Sequence, residues 1–279
     1  MSRKSPSGLY SITCPTTSNK PYTGFSLPLC IFLITFSVNC FADNVITITY
    51  GSKYKPFAFG NNSVAYGVQK DFVEKILSEK MGIKVNHEAY PWRRCQKYVR
   101  EGIKDGFFTV ATAERAEYTI HSSIPFYETN FVMHTSKRNR NVARLKTVKS
   151  LKDLEAMHGI KHIYMLGSGW HENALKNMKN VITTPDASTI PLMLALQRAD
   201  VYIEQSEMFR YQAKEKGILD ELLTLNEPPM KKLGWHIFIG KKSKHQSLMP
   251  KINDMLEQLQ ASGELEKIKM EIFKKYGIE

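Results

Sequence analysis

The chain has 279 residues, 42% hydrophobic and 24% charged, a balance that excludes a disordered or collagen-like chain and a multi-spanning membrane protein. That length can bury a core in one large domain or two smaller ones. The net charge of +12 suits an anionic ligand, an acidic surface or nucleic acid, and charge alone does not choose among them.

Residues 1–24 are polar and carry Arg3, Lys4 and Lys20 with no acid. A short apolar stretch over 29–38 follows, and then Cys40 and Ala42 stand at the −3 and −1 positions of a candidate cut before Asp43. A basic region, a short apolar region and a small-residue site, in that order, make a secretory signal. A membrane anchor needs roughly 20 apolar residues, and Pro28 and Asn39 bracket a much shorter run. Residues 1–42 are therefore predicted to be a cleaved signal peptide. Cys14, Cys30 and Cys40 leave with it, so Cys95 has no partner for an intramolecular disulfide. Its spacing to Tyr98 and Val99 is helical, which reads as core filling.

The alternating β-branched residues over 45–50 predict a strand, and the Pro- and Gly-bearing stretch 51–67 a loop. Phe72, Val73, Ile76 and Leu77 form one stripe of a helix over 71–81, stopped by Gly82. A strand over 83–90, a helix over 94–101 stopped by Gly102, and a buried strand over 107–111 complete a β-α-β-α-β order, which implies a mostly parallel sheet. The same order recurs with strands over 162–166, 181–183 and 200–204 and helices over 168–178 and 188–198. The extended stretches 130–136 and 234–240 are suited to bridge the two α/β units. The tail predicts helices over 248–261 and 263–276. If the tail returns to the first unit, the chain crosses twice between two lobes, and the expected architecture is an α/β hinged clamp.

Catalytic and cofactor signatures are mostly missing. Gly167-Ser168-Gly169 lacks the third glycine of a dinucleotide fingerprint, and there is no phosphate loop or nucleophile elbow. His171-Glu172 has Leu175 where a zinc protease helix needs its second histidine, and Gly159 interrupts the pair His158 and His162 at a strand entry. No metal or cofactor is expected. The run from Lys241 to His245 has no interleaved aromatics and reads as a solvated turn, not a nucleic-acid patch.

What remains suits binding. Thr112-Ala113-Glu114-Arg115 follows a buried strand at its carboxyl end, where α/β sheets place ligands. An arginine there offers a planar fork for a carboxylate; the competing reading pairs Arg115 with a nearby acid such as Glu117. Gly167-Ser168-Gly169-Trp170 ends a strand and starts a helix, where free amides attract anions and Ser168 can cap; the competing reading is a plain cap beside a packed Trp170. Glu204-Gln205 ends the second unit's last strand and can receive an amino group or a hydroxyl. Tyr54, Trp92 and Trp170 are equally suited to stack on a ligand or to fill the core.

Across residues 45–279 the chain resembles the family-3 extracellular solute-binding proteins, the periplasmic receptors of polar amino-acid ABC importers. The resemblance rests on Tyr54-Lys55-Pro56-Phe57, Gly67-Val68-Gln69-Lys70-Asp71-Phe72, Gly102-Ile103-Lys104-Asp105, Thr112-Ala113-Glu114-Arg115 and Ser123-Ile124-Pro125-Phe126-Tyr127. It continues through Leu196-Gln197-Arg198-Ala199-Asp200 to a tail with Ile252-Asn253, Leu259 to Ile268 and Phe273-Lys274-Lys275-Tyr276-Gly277. Each motif is loose; their order and spacing are specific. The resemblance implies a type II periplasmic-binding fold with two hinge crossovers: residues 43–133 with 237–279 as one lobe, and 134–236 as a second lobe inserted in it.

By the same resemblance, Arg115 matches the arginine that clamps an α-carboxylate, Tyr54 an aromatic wall, and Ser168-Gly169 a carboxylate-binding turn. Gln205 falls where amino-acid binders usually carry an aspartate for the α-amino group. Glu204 beside it would replace that charge only by a one-residue slip, which turns a strand side chain to the other face. Phe107, Phe108 and Val110 stand where small or hydroxyl residues are usual. These departures leave a carboxylate or other anion open beside an ordinary amino acid. The implied role is a monomeric periplasmic receptor that delivers a small solute to an ABC permease. Its alternatives are a ligand-sensing module for a receptor or kinase, a cyclohexadienyl-dehydratase-like enzyme using Glu204, and a structural protein that binds no ligand.

Overall fold

A computed structural model describes residues 45–225 and 229–278; the predicted signal peptide and its cut lie outside them. The strand Ile46–Gly51 buries Ile46, Ile48 and Tyr50 completely. It is flanked in parallel by Val85–Tyr90, with Ile46 opposite Val85, and by Gly106–Val110, with Ile48 opposite Gly106. Gly106 is required there, because a Cβ would lie 2.2 Å from the Phe238 carbonyl oxygen of the next strand.

That next strand is Lys231–Gly240, antiparallel to Gly106–Val110 at one end and to Tyr127–Ser136 at the other. Tyr127–Ser136 in turn pairs antiparallel with Tyr202–Gln205 and Leu222–Leu225. The predicted bridging stretches are thus long neighbouring strands inside one eight-stranded sheet. The sheet is mixed, not mostly parallel as expected. Hydrophobic periodicity carries no strand direction, and two stretches that run out and back between α/β units must oppose each other. The second α/β unit keeps its own parallel pair, His162–Met165 with Val181–Thr184.

The predicted helices exist with different ends. The first starts earlier, at Val68, because the Val68 and Gln69 amides bond the carbonyls of Pro56 and Phe57 at 3.1 and 2.9 Å. Gly67 has φ 112°, and a Cβ would lie 2.6 Å from both of those oxygens. From Glu74 to Lys80 this helix widens into a π-helix. The helix after Ser168 is only Gly169–Ala174, and the next is a 3₁₀ turn, Ala187–Thr189, leading into Ile190–Ala195. The stretch read as a loop holds a three-stranded ribbon, Lys53–Tyr54, Ala58–Asn61 and Val64–Tyr66. The helix Ser206–Glu215 has no counterpart in the sequence reading. The tail helices Leu248–Ala261 and Glu264–Tyr276 fall as expected, and the second returns to the first unit, where Lys275 and Tyr276 bond Asp71 at 2.6 and 3.0 Å. Cys95 is fully buried, its thiol pushed up to about 12 by loss of water.

Candidate functional site

A cavity of about 60 Å³, room for a few water-sized groups, opens among the ends of these strands. Six of the nine predicted residues line it: Tyr54, Trp92, Arg115, Ser168, Trp170 and Glu204. Thr112, Gly169 and Gln205 are not among its lining residues.

Arg115 is placed by its own helix. The hydroxyl of Thr112 caps the helix Ala113–Tyr118 by accepting the Arg115 amide at 3.3 Å, directly after the strand Gly106–Val110. The side chain then folds back, and Nη1 donates to the Val110 carbonyl at 2.8 Å. Its guanidinium lies 5.3 Å from the centre of the Trp92 ring, and Trp92 rests edge-on against Phe107 at 5.4 Å. The Gly169 backbone closes the other side, where a Cβ would sit 3.5 Å from Nη2. Arg115 is 2% exposed, and its Nε is buried with no acceptor. Burial pulls its pKa down to about 10. Glu114 and Glu172, whose charges reach it, are engaged by Arg100 and by Arg93. Among the described residues no carboxylate pairs with this guanidinium, so the pairing with Glu117 that competed in the sequence reading is not formed.

Glu204 and Gln205 divide differently from the expectation. Glu204 lines the cavity, 3% exposed, its two oxygens accepting the Tyr202 hydroxyl at 3.0 Å and the Gln205 amide at 2.9 Å. Tyr54 adds a hydrogen bond, yet burial dominates and raises the carboxyl to about 7. Gln205 is fully buried, and its Nε2 donates to the Tyr54 hydroxyl at 3.0 Å. No register slip is needed for Glu204 to reach the cavity. Gln205, which the resemblance places at the solute's amino group, holds Tyr54 instead.

The turn at Ser168 is also corrected. Ser168 opens the helix, but its hydroxyl makes no cap; it lies 2.7 Å from His171 Nδ1. Trp170 packs edge-on against Phe131 at 5.0 Å and still lines the cavity. Phe108 and Val110 line it too, whereas Phe107 turns away to Phe238.

Sequence reasoning missed Gln69, Phe131, His171 and Trp235 in the wall. His171 carries a signal in the sequence, the pair His171-Glu172, which matches only a broken protease motif. Trp235, whose Nε1 donates to Thr129 at 2.9 Å, lies on a bridging strand where no local pattern marks a site. Among the described residues no group of three His, Cys, Asp or Glu can hold a metal ion.

The α/β units of this mixed sheet are joined by antiparallel strands, and a cavity lined by a buried arginine and aromatic rings lies at its strand ends. The model of bacterial extracellular solute-binding proteins, family 3, matches residues 46–275, and the chain belongs to that family. A search of curated proteins returns no significant match. Among solved structures, a histidine kinase sensor domain with similarity to periplasmic binding proteins aligns with TM-score 0.68 and 17% identity, covering 82% of this chain and 95% of that one. An ancestral amino-acid-binding protein, a precursor of cyclohexadienyl dehydratase, aligns with TM-score 0.62 and 19% identity over 84% and 95% of the chains. An amino-acid ABC transporter substrate-binding protein from Streptococcus pneumoniae, bound to L-arginine, gives TM-score 0.63 and 17% identity over 85% and 97%. At these identities the likeness speaks for the fold.

Proposed function

We propose that the protein is the periplasmic receptor of an ABC importer, capturing a small carboxylate-bearing or amino-acid-like solute by closure of two lobes, 43–133 with 237–279 and 134–236. The observation that carries this is Arg115, a buried guanidinium beside a cavity with no carboxylate of the described chain to neutralise it. A buried charge is costly unless paired, and a solute carboxylate supplies the missing partner in the fork geometry that arginine favours. Closure requires that the solute bind the closed form better than the open one. Contacts from both proposed lobes meet that need: Tyr54, Trp92 and Arg115 come from the first, Ser168, Trp170 and Glu204 from the second. Contacts across the same boundary support closure, among them Arg93 with Glu172 at 3.5 Å, Lys53 with Asp186 at 3.6 Å and Gln205 with Tyr54. In this reading residues 1–42 are the export signal, the protein acts as a monomer, and a membrane permease recognises the closed form.

Delivery of the same solute to a sensor is the second reading, favoured by the structural likeness to a kinase sensor domain. Thermal-shift screening of residues 43–279 against amino acids, dicarboxylates, polyamines and sugars, followed by small-angle scattering with each hit, tests the capture. A hit that contracts the particle supports closure. A particle of unchanged dimensions with every hit, or no hit, refutes it. Co-purification with a permease or with a histidine kinase separates the two destinations.

A further inference from the structure

Hydrogen-bond polarity in the cavity is set by a histidine that sequence reasoning passed over. His171 is 1% exposed and boxed by rings: Tyr164 stacks on it at 5.4 Å, Tyr202 at 6.0 Å, and Trp170 meets its edge at 4.8 Å. Its Nε2 lies 2.6 Å from the Ile203 carbonyl oxygen. A carbonyl only accepts, so Nε2 holds the proton. Burial drives the imidazole pKa down to about 4, which keeps the ring neutral near pH 7 and leaves Nδ1 with a bare lone pair. Ser168 Oγ, 2.7 Å from Nδ1, must therefore donate to it. A serine hydroxyl has one proton. With that proton committed to His171, Ser168 offers the cavity lone pairs only. Glu204, also in the wall, offers only acceptor oxygens once it is ionised above about pH 7, and Arg115 is the cavity's charged donor.

Resting on the reading of this cavity as a solute site, we propose that His171 is a specificity-determining residue: by holding the Ser168 proton it makes the site select a solute with one carboxylate, for Arg115, and a hydrogen-bond-donating arm, an amine, amide or hydroxyl, for Ser168 and Glu204. Where Glu204 is ionised, a second carboxylate in that place meets lone pairs on both sides and is rejected, since a desolvated acceptor facing an acceptor has no partner.

Two skeleton-matched pairs test this by calorimetry at about pH 8.5, where Glu204 is ionised: L-asparagine against succinate, and L-glutamine against glutarate. The expected result is at least tenfold tighter binding of the donor-bearing member of a pair. In His171→Phe, which keeps an aromatic ring but frees the Ser168 hydroxyl, that preference falls at least tenfold. Equal or tighter binding of the dicarboxylate by the native protein, or binding of none of the four, overturns the inference and leaves the carboxylate-capture reading to the wider ligand screen. Long-range proton–nitrogen NMR on the native protein decides the polarity even if the variant fails to fold. A neutral Nε2–H tautomer from about pH 5.5 to 8 is expected, and an Nδ1–H tautomer or an imidazolium overturns the inference.

Discussion

Replacing Arg115 by methionine removes the buried guanidinium and keeps an unbranched stem in its place. Burial lowers the arginine pKa from 12.5 to about 10. At 1.36 kcal/mol per unit, holding that charge without a partner costs the solute-free protein roughly 3 kcal/mol. The substitution relieves this cost but forfeits the bond from Nη1 to the Val110 carbonyl, worth about 1.5–3 kcal/mol, and the contact with Trp92, about 1 kcal/mol. The terms nearly cancel, so unfolding free energy is expected to stay within about 1–2 kcal/mol of the native value by urea denaturation. Affinity responds differently. Truncating one side of a desolvated charge pair costs roughly 2–5 kcal/mol, about 30-fold to several thousand-fold. Calorimetry with the first solute that raises the native melting temperature measures that loss. An affinity within threefold of native, together with a stability loss above about 3 kcal/mol, would show that Arg115 holds the fold and does not grip the solute.

Two further outcomes follow from buried groups. Glu204 is raised from 4.5 to about 7 by burial, so between those pH values the folded protein keeps a proton that the unfolded chain has released. Stability from this residue is therefore greatest at low pH and falls by roughly 3 kcal/mol as pH rises through that window. Glu204→Gln removes this slope, read as the difference between the two proteins' urea-derived stabilities at about pH 5 and pH 8; parallel pH profiles would refute the assignment. Cys95, fully buried with its thiol near 12 and bonded to the Tyr50 carbonyl at 3.2 Å, should resist aromatic disulfide reagents in the native protein and react fully in urea. Rapid labelling of the native protein would contradict its burial.

Much of the site could be read in advance because it lies where strands end. Arg115 follows a buried apolar run with a threonine three residues before it, and that spacing both caps a helix and delivers the side chain to the carboxyl edge of the sheet. Ser168 and Trp170 follow a strand in the same way. Glu204 and Gln205 were harder to separate. Alternation along a strand says that the two oppose each other, but which of them faces the cavity depends on pairing with Tyr127–Ser136, a strand about 70 residues away in the chain.

The amino-acid sequence by itself determined the repeated α/β order, the tail helices, the buried thiol of Cys95 and the guanidinium at a strand end, because each rests on local periodicity, capping or turn chemistry. Only the tertiary structure decided the mixed direction of the sheet, the absence of a carboxylate partner for Arg115 among the described residues, the side of Glu204 that meets the cavity and the proton held between Ser168 and His171. Those depend on which distant carbonyls, rings and carboxylates arrive within a few ångströms. Ile203 and Tyr202, which fix His171, reach it from a strand that its own helix gives no means of foreseeing.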